Sequence, residues 1–121
     1  SYRFRDMISE GVNVCFGSDW TVAPLNPLLG IYAAVTRRTL DGKNPDGWIP
    51  EQKVSVTEAV RGYTINNAYA AFMEDRLGSI EVGKYADFTI LEKNIFTIDP
   101  EEIKDAGVLY TIVDGKIVYK K

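Results

Sequence analysis

The sequence contains no histidine and only one cysteine, Cys15, among its 121 residues. Histidine is the commonest ligand of catalytic transition metals and the commonest general base near neutral pH. Any site made from these residues alone must therefore use other side chains. A single cysteine excludes an intrachain disulfide, and its position inside the apolar run VNVCF predicts a buried, unreactive thiol.

Long apolar runs and basic patches are also missing. No run approaches the roughly 18 apolar residues of a membrane-spanning helix, and the opening stretch SYRFRDMISEG lacks the apolar segment of a signal peptide. The net charge is -3, and the lysines and arginines are spread along the chain instead of forming a stripe for phosphates. The sequence therefore predicts a cytoplasmic protein that binds neither membranes nor nucleic acid.

The composition is that of a globular protein, with 45% hydrophobic and 26% charged residues. Residues 1–10 carry apolar side chains at helical spacing, and Gly11 is a typical helix stop. Residues 12–16 then alternate as a short strand that is apolar on both faces, a pattern typical of a covered parallel strand. Because a single parallel strand needs partners, we expect the chain to be the end of a longer polypeptide.

Two longer helices are predicted after this strand. The first begins at Pro27 and ends near Leu40. The second begins at the capping box that Ser55 forms with Glu58, and it runs to about residue 73. This helix carries two polar residues that we expect to be buried and hydrogen-bonded, Asn66 and Asn67.

The sequence divides into two parts with different patterns. Residues 78–121 are rich in β-branched and aromatic residues, and Asp114-Gly115 between two such runs predicts a hairpin turn. Asp99 predicts the start of a helix of one to two turns between the strands. We therefore predict an α/β part in residues 1–77 and a small antiparallel β unit in residues 78–121.

A carboxylate follows the predicted strand directly, in the turn Gly17-Ser18-Asp19. An aspartate at such a place is commonly a turn former or a helix N-cap. It has a second interpretation, because barrels of parallel strands and helices carry their active sites at the carboxyl ends of the strands. A carboxylate there can bind a metal and act as a base. Ser18 is better explained as a small turn residue than as a nucleophile, since the chain has no histidine base.

Together these stretches resemble the C-terminal quarter of the amidohydrolase superfamily of metal-dependent hydrolases. The closest likeness is to the branch that includes the N-substituted formamide deformylases. Two motifs carry most of the resemblance: Gly17-Ser18-Asp19 before a proline-rich loop, and GSIEVGKYADFTIL at residues 78–91. The resemblance extends over essentially all 121 residues.

The resemblance implies an α/β architecture made of the last strand and helices of a (β/α)8 barrel in residues 1–77, followed by part of a small β-sandwich in residues 78–121. The predicted strand would be the eighth barrel strand, and Asp19 would be both a catalytic residue and a metal ligand. Trp20 and Thr21 would lie at the mouth of the barrel, near the substrate. The implied cofactor is one or two divalent metal ions, most often zinc, in the full-length protein.

The implied activity is hydrolysis of a non-peptide C–N bond in a small amide- or imide-type molecule by metal-activated water. The histidine ligands of the superfamily are absent here, so we expect this chain alone to bind no metal and to be inactive. Its partner would be the remainder of its own barrel, and a homo-oligomer is a further candidate. The alternative is a small non-catalytic scaffold or dimerisation domain, in which Asp19 only closes a loop.

Overall fold

A computed structural model of the chain describes residues 2–121. These residues form α-helices, two 3-10 helices and one antiparallel sheet. The α-helices are α1 (Phe4–Ser9), α2 (Pro27–Thr36), α3 (Val56–Tyr63) and α4 (Ile65–Ala70). The strands are β1 (Phe88–Leu91), β2 (Val108–Val113) and β3 (Lys116–Lys120), and the 3-10 helices span Pro50–Gln52 and Pro100–Asp105. None of the helices among residues 2–121 has the length and apolar character needed to cross a membrane.

Helix α2 begins as predicted but ends four residues early. The side chain of Asn26 accepts a hydrogen bond from the Leu28 amide, and Pro27 occupies the first helical position. The helix ends at Thr36 because Arg37 adopts a left-handed conformation with φ 57°. The prediction that the helix continues to about Leu40 is therefore wrong. A left-handed C-cap at an arginine gives no signal that can be read from the sequence, since glycine is the usual residue there.

The second predicted helix is two helices, α3 and α4, separated at Thr64. The capping box of Ser55 and Glu58 is present at the start of α3, as predicted. At Thr64 the backbone leaves the helical region, with φ -126° and ψ -96°. The Thr64 hydroxyl donates to the Val60 carbonyl at 2.7 Å, while the Thr64 amide turns to Arg61. The hydroxyl thus takes the carbonyl that a continuous helix would bond to the amide, and the helix breaks.

Residues 12–16 are extended but do not form the predicted strand. A strand requires a ladder of hydrogen bonds with a neighbour, and every strand among residues 2–121 belongs to the sheet formed later in the chain. The main-chain amide of Phe16 instead donates to the Gly62 carbonyl at 2.9 Å. We call residues 12–16 the extended segment.

Cys15 in this segment is exposed, so the prediction of a buried thiol is wrong. Side chains alternate between the two faces of an extended chain. Val14 is buried, whereas its neighbours Asn13 and Cys15 are exposed. The Cys15 thiol lies 3.2 Å from the Asn66 carbonyl, to which it can donate.

The sheet has the order β1-β2-β3 and is antiparallel throughout. As predicted, Asp114 and Gly115 form the turn between β2 and β3, with φ 50° and 75°. Positive φ at both positions gives a turn whose twist matches the strands. The β-rich motif that begins at residue 78 becomes a strand only at Phe88. The residues before it form turns held by Lys84, whose ammonium donates to the Ser79 hydroxyl at 2.7 Å.

The core joins the two parts of the chain. Helix α2 packs against the 3-10 helix Pro100–Asp105, where Tyr32 and Ile103 are the largest fully buried side chains. This short helix begins at the predicted N-cap Asp99, whose carboxylate accepts from the Glu101 amide at 2.8 Å. Other buried members of the same cluster are Leu28, Ile31, Ala34, Val54, Ala59, Ile95 and Ala106. Residues on both sides of Gly78 therefore share one hydrophobic core.

Candidate functional site

The extended segment leads into a turn whose first residue is Asp19. The Asp19 carbonyl accepts hydrogen bonds from the amides of Val22 at 2.8 Å and Ala23 at 3.1 Å. Its backbone has φ 50°, in the left-handed region that aspartate tolerates better than most residues. The structure thus confirms that Asp19 forms a turn, and it does so with main-chain atoms.

The Asp19 side chain takes no part in that turn. The residue is exposed, and its carboxylate forms no hydrogen bond and no ion pair with any residue from 2 to 121. Because only the main chain closes the turn, the carboxylate is left available for another group. Asp19 can therefore serve the turn and bind a ligand at the same time.

Two asparagines of α4 hold the extended segment in place. The Asn66 side-chain amide donates to the Val14 carbonyl at 2.9 Å, and the Asn67 side-chain amide donates to the Phe16 carbonyl at 3.0 Å. Both asparagines are partly buried and hydrogen-bonded. The prediction that they are hydrogen-bonding groups is confirmed, but the sequence did not indicate that their partner is the segment before Asp19.

The Phe16 ring anchors the same segment through packing. Its centroid lies 5.0 Å from that of Phe4 in an edge-to-face contact and 5.6 Å from that of Tyr63. The ring lies directly on Gly62 of α3, where any Cβ atom would collide with it. Glycine at this position is what allows the extended segment and α3 to approach so closely.

Trp20 and Thr21 are both exposed beside Asp19, and 66% of the Trp20 surface is accessible. A groove of about 520 Å³ lies next to them between the turn and α2. Its lining includes Gly17, Ser18, Pro24, Gly30 and Tyr63, but it includes none of the three predicted site residues. The Ser18 hydroxyl donates to the Leu25 carbonyl at 2.8 Å, which fits its interpretation as a turn residue.

The residues from 2 to 121 do not assemble a metal site on their own. Nowhere among them do three histidine, cysteine, aspartate or glutamate side chains lie close enough to share an ion. A catalytic zinc ion typically has three protein ligands. Asp19 could supply one ligand of such a set, and the others would have to come from elsewhere.

A second cluster of charged groups, around Glu101, is structural. Its carboxylate accepts from Lys104 at 2.8 Å, from Arg38 at 2.8 Å and from the Tyr32 hydroxyl at 3.2 Å. Hydrogen bonds from Lys104 and then Arg38 lower the pKa of Glu101 from 4.5 to about 2. Sequence reasoning missed this cluster because Arg38 and Tyr32 are 63 and 69 residues away from Glu101. It joins α2 to the 3-10 helix.

Comparison with known proteins identifies the family of the chain. A model of the Amidohydrolase family matches residues 1–119. The chain belongs to the amidohydrolase family. The resemblance inferred from its two motifs is thereby confirmed.

Three curated relatives of this amidohydrolase chain match it over nearly its full length. Protein LONG AFTER FAR-RED 3 of Arabidopsis thaliana is 40% identical over 98% of the chain and 20% of its own length. The putative amidohydrolase YtcJ of Bacillus subtilis is 34% identical over 100% and 23%. The N-substituted formamide deformylase of Arthrobacter pascens is 34% identical over 99% and 22%. The chain therefore spans between a fifth and a quarter of the length of these relatives.

Solved structures show that the amidohydrolase chain has a known fold. An amidohydrolase from Thermotoga maritima MSB8 superposes with a TM-score of 0.68 at 24% identity, covering 98% of this chain and 26% of its own. A mutant of the atrazine chlorohydrolase TrzN from Arthrobacter aurescens TC1, complexed with zinc and atraton, gives 0.65 at 23% identity, covering 98% and 27%. The helices and the small antiparallel sheet thus have the arrangement found in part of amidohydrolase-fold proteins.

Proposed function

We propose that the protein containing this chain hydrolyses a non-peptide C–N bond in a small amide- or imide-type molecule. The observation that carries the proposal is the Asp19 carboxylate, exposed and unpaired at the end of the extended segment. Membership of the amidohydrolase family supports it, as does the 34% identity to an N-substituted formamide deformylase.

We place the chain within the whole protein as follows. Residues 1–77 would supply the last strand and helices of a (β/α)8 barrel, and residues 78–121 would supply part of a small β-sandwich. The extended segment would become the eighth barrel strand when a neighbouring strand pairs with it. Asp19 would then lie at the carboxyl end of a barrel strand, where barrel enzymes carry their active sites.

Asp19 would act as the general base and then as the general acid of the reaction. Its carboxylate would accept a proton from the attacking water while the water oxygen bonds to the substrate carbonyl carbon. It would then give that proton to the nitrogen as the C–N bond breaks, so that an amine leaves and the carboxylate is regenerated. A group with this role must reach both the water and the nitrogen, which an exposed and unpaired side chain can do.

Residues 2–121 do not fit a complete metal site by themselves, because no three histidine, cysteine, aspartate or glutamate side chains among them lie close enough to share an ion. In the whole protein we expect one or two divalent ions, with zinc the first candidate because it is bound in the atrazine chlorohydrolase structure. Such an ion polarises a carbonyl group and lowers the pKa of a bound water. The isolated chain is expected to bind no metal and to be inactive.

Trp20 and Thr21 are proposed to contact the substrate. Both follow Asp19 directly and expose their side chains. An exposed tryptophan next to a reactive carboxylate offers a large apolar surface for the body of a substrate, and the threonine hydroxyl offers a hydrogen bond. Specificity would be shared with loops from the rest of the barrel.

The test is an Asp19→Asn variant of the whole gene product, assayed by formate release from a set of N-substituted formamides. Removing a general acid-base group costs roughly 10²- to 10⁴-fold in rate, and we expect a loss in kcat of this size. Asp46→Asn is the matched control, because Asp46 is also exposed and unpaired among residues 2–121 but lies in a distant loop. Full activity of Asp19→Asn would overturn the catalytic role proposed for Asp19 and leave it as a residue that only closes a loop.

A further inference from the structure

The extended segment has helix side chains along one edge, where a strand would normally have another strand. In an extended chain the N–H and C=O groups of alternate residues point to the same edge. On the edge of Val14 and Phe16, the two carbonyls accept from Asn66 and Asn67, and the Phe16 amide donates to Gly62. Three main-chain groups on this edge are therefore satisfied by α3 and α4 without any strand.

The two asparagines fix the register of the segment. Carbonyl groups two residues apart on an extended chain are separated by about 6.6 Å. Adjacent residues of a helix point their side chains in different directions. Asn66 and Asn67 can therefore bond to different carbonyls of the segment. A slip of the segment by one residue would turn these carbonyls to the opposite edge and break both bonds.

Helix α4 also contacts a later part of the chain. Gly78 lies against Ile65 and Ala68 of this helix, and a Cβ atom at Gly78 would be 2.7 Å from the Ile65 Cα. Because the helix breaks at Thr64, the axis of α4 does not have to continue the axis of α3. Helix α4 thus has a packing contact, at Gly78, that does not involve the extended segment.

We propose that Asn66 and Asn67 are positioning residues for Asp19. Asn67 holds the carbonyl of Phe16, three residues before Asp19, and Asn66 prevents the chain from shifting along its axis. The inference rests on the proposed function, because it requires that the Asp19 carboxylate takes part in the reaction. Only a donor can fill this role, because the partners are carbonyl oxygens.

The experiment compares Asn67→Asp with Asn94→Asp in the whole gene product. Asn67→Asp replaces the donating amide with an acceptor of nearly the same shape, and it places a negative charge against the Phe16 carbonyl. Asn94 uses only its side-chain carbonyl oxygen, which accepts from the Phe96 amide at 3.0 Å. Its amide nitrogen has no partner among residues 2–121, so Asn94→Asp makes the same charge change without losing a bond. The substrates are again N-substituted formamides, with formate release as the readout.

We expect kcat of Asn67→Asp to fall about 10- to 100-fold, since a misplacement of about 1 Å can cost 10²-fold. We expect KM to stay within a factor of about two, because Asn67 bonds to the Phe16 carbonyl and not to the substrate. Asn67→Gln keeps the donor and should recover part of the loss. Asn94→Asp should behave as the unaltered protein.

Several outcomes would overturn the inference. A purely structural role would lower the melting temperature of Asn67→Asp while kcat of the folded protein stays unchanged. If that variant does not fold, Asn67→Ala takes its place because it also removes the donor, and an unchanged kcat there is equally decisive. If no formamide is hydrolysed, crystal structures of both proteins decide, and an unmoved Asp19 in the variant would contradict the inference. Full activity of Asp19→Asn would instead mean that the catalytic role proposed for Asp19 has failed.

Discussion

At the scale of single residues, the main chain and the side chain of Asp19 have different roles. The carbonyl closes the turn through two amides, and the carboxylate is left exposed. A turn former and a catalytic residue are usually considered as alternatives for such an aspartate. In this structure the two roles use different atoms and are compatible.

The contact between Phe16 and Gly62 gives a prediction at the same scale. Gly62→Ala would push a methyl group into the Phe16 ring, and overpacking of this kind typically lowers the free energy of unfolding by about 1–3 kcal/mol. Gly17→Ala is the control, because a Cβ there meets nothing within 4 Å and the backbone needs no positive φ. Urea denaturation of both variants measures the difference. Equal stability of the two variants would show that the ring moves away without cost.

At the scale of elements, the Glu101 cluster fastens α2 to the 3-10 helix Pro100–Asp105. Lys104 lies within the 3-10 helix. Tyr32 lies in α2, and Arg38 lies just after its end. One carboxylate therefore bridges two elements that are far apart in the sequence. Burial of Tyr32 and Ile103 beneath it supplies the apolar part of the same contact.

This cluster predicts a specific dependence of stability on pH. The pKa of Glu101 falls from 4.5 to about 2 on folding, so the folded state binds fewer protons in this range. The contribution of Glu101 is present above about pH 4.5 and is lost as the pH falls toward 2. Melting temperatures measured from pH 6 to pH 2 should fall less steeply for Glu101→Gln than for the unaltered protein. Glu51→Gln, at an exposed position, should follow the unaltered protein, and identical slopes for all three would contradict the assignment.

The elements also show what the sequence could predict and what it could not. The capping box of Ser55 and Glu58 and the hairpin turn at Asp114 depend on residues close in the chain, and both were predicted correctly. The break at Thr64 depends on a hydroxyl that competes for one carbonyl, and many threonines continue a helix. The exposure of Cys15 depends on which layers cover the extended segment, which no local pattern contains.

The candidate site shows the same limit. Asp19 was predicted from its place after an apolar run, and this signal is local. The partners of its segment, Asn66 and Asn67, were recognised only as hydrogen-bonding residues. Their bonds to Val14 and Phe16 span about 50 residues, and two adjacent asparagines in a helix do not specify a distant carbonyl.

At the scale of the whole molecule, apolar side chains remain exposed on the sheet and around the turn. Ile90, Ile117 and Val118 on the strands each expose more than two fifths of their surface, and Trp20 and Val22 are exposed beyond Asp19. Exposed patches of this kind favour association with another surface. Strand edges add to the tendency, since their amide and carbonyl groups can pair with a second chain.

The 121-residue chain on its own is therefore expected to associate. Sedimentation velocity at increasing concentration should show a rising average mass. A double substitution Ile90→Lys and Ile117→Lys should reduce the association, because charges at exposed sheet positions oppose pairing. The control, Lys116→Ile, should leave it unchanged or increase it. A monomer at every concentration would contradict this prediction.

The asparagine bonds to the extended segment also determine when the region around Asp19 can form during folding. These contacts join residues 51 and 52 positions apart, so a long loop must close before the segment acquires its register. Closure of such loops costs entropy that helices and hairpins, built from nearby residues, do not have to overcome. Helix α4 and the hairpin of β2 and β3 can therefore form first, and the segment docks onto a surface that already exists. We therefore expect the docking of the segment that carries Asp19 to be among the last steps of folding.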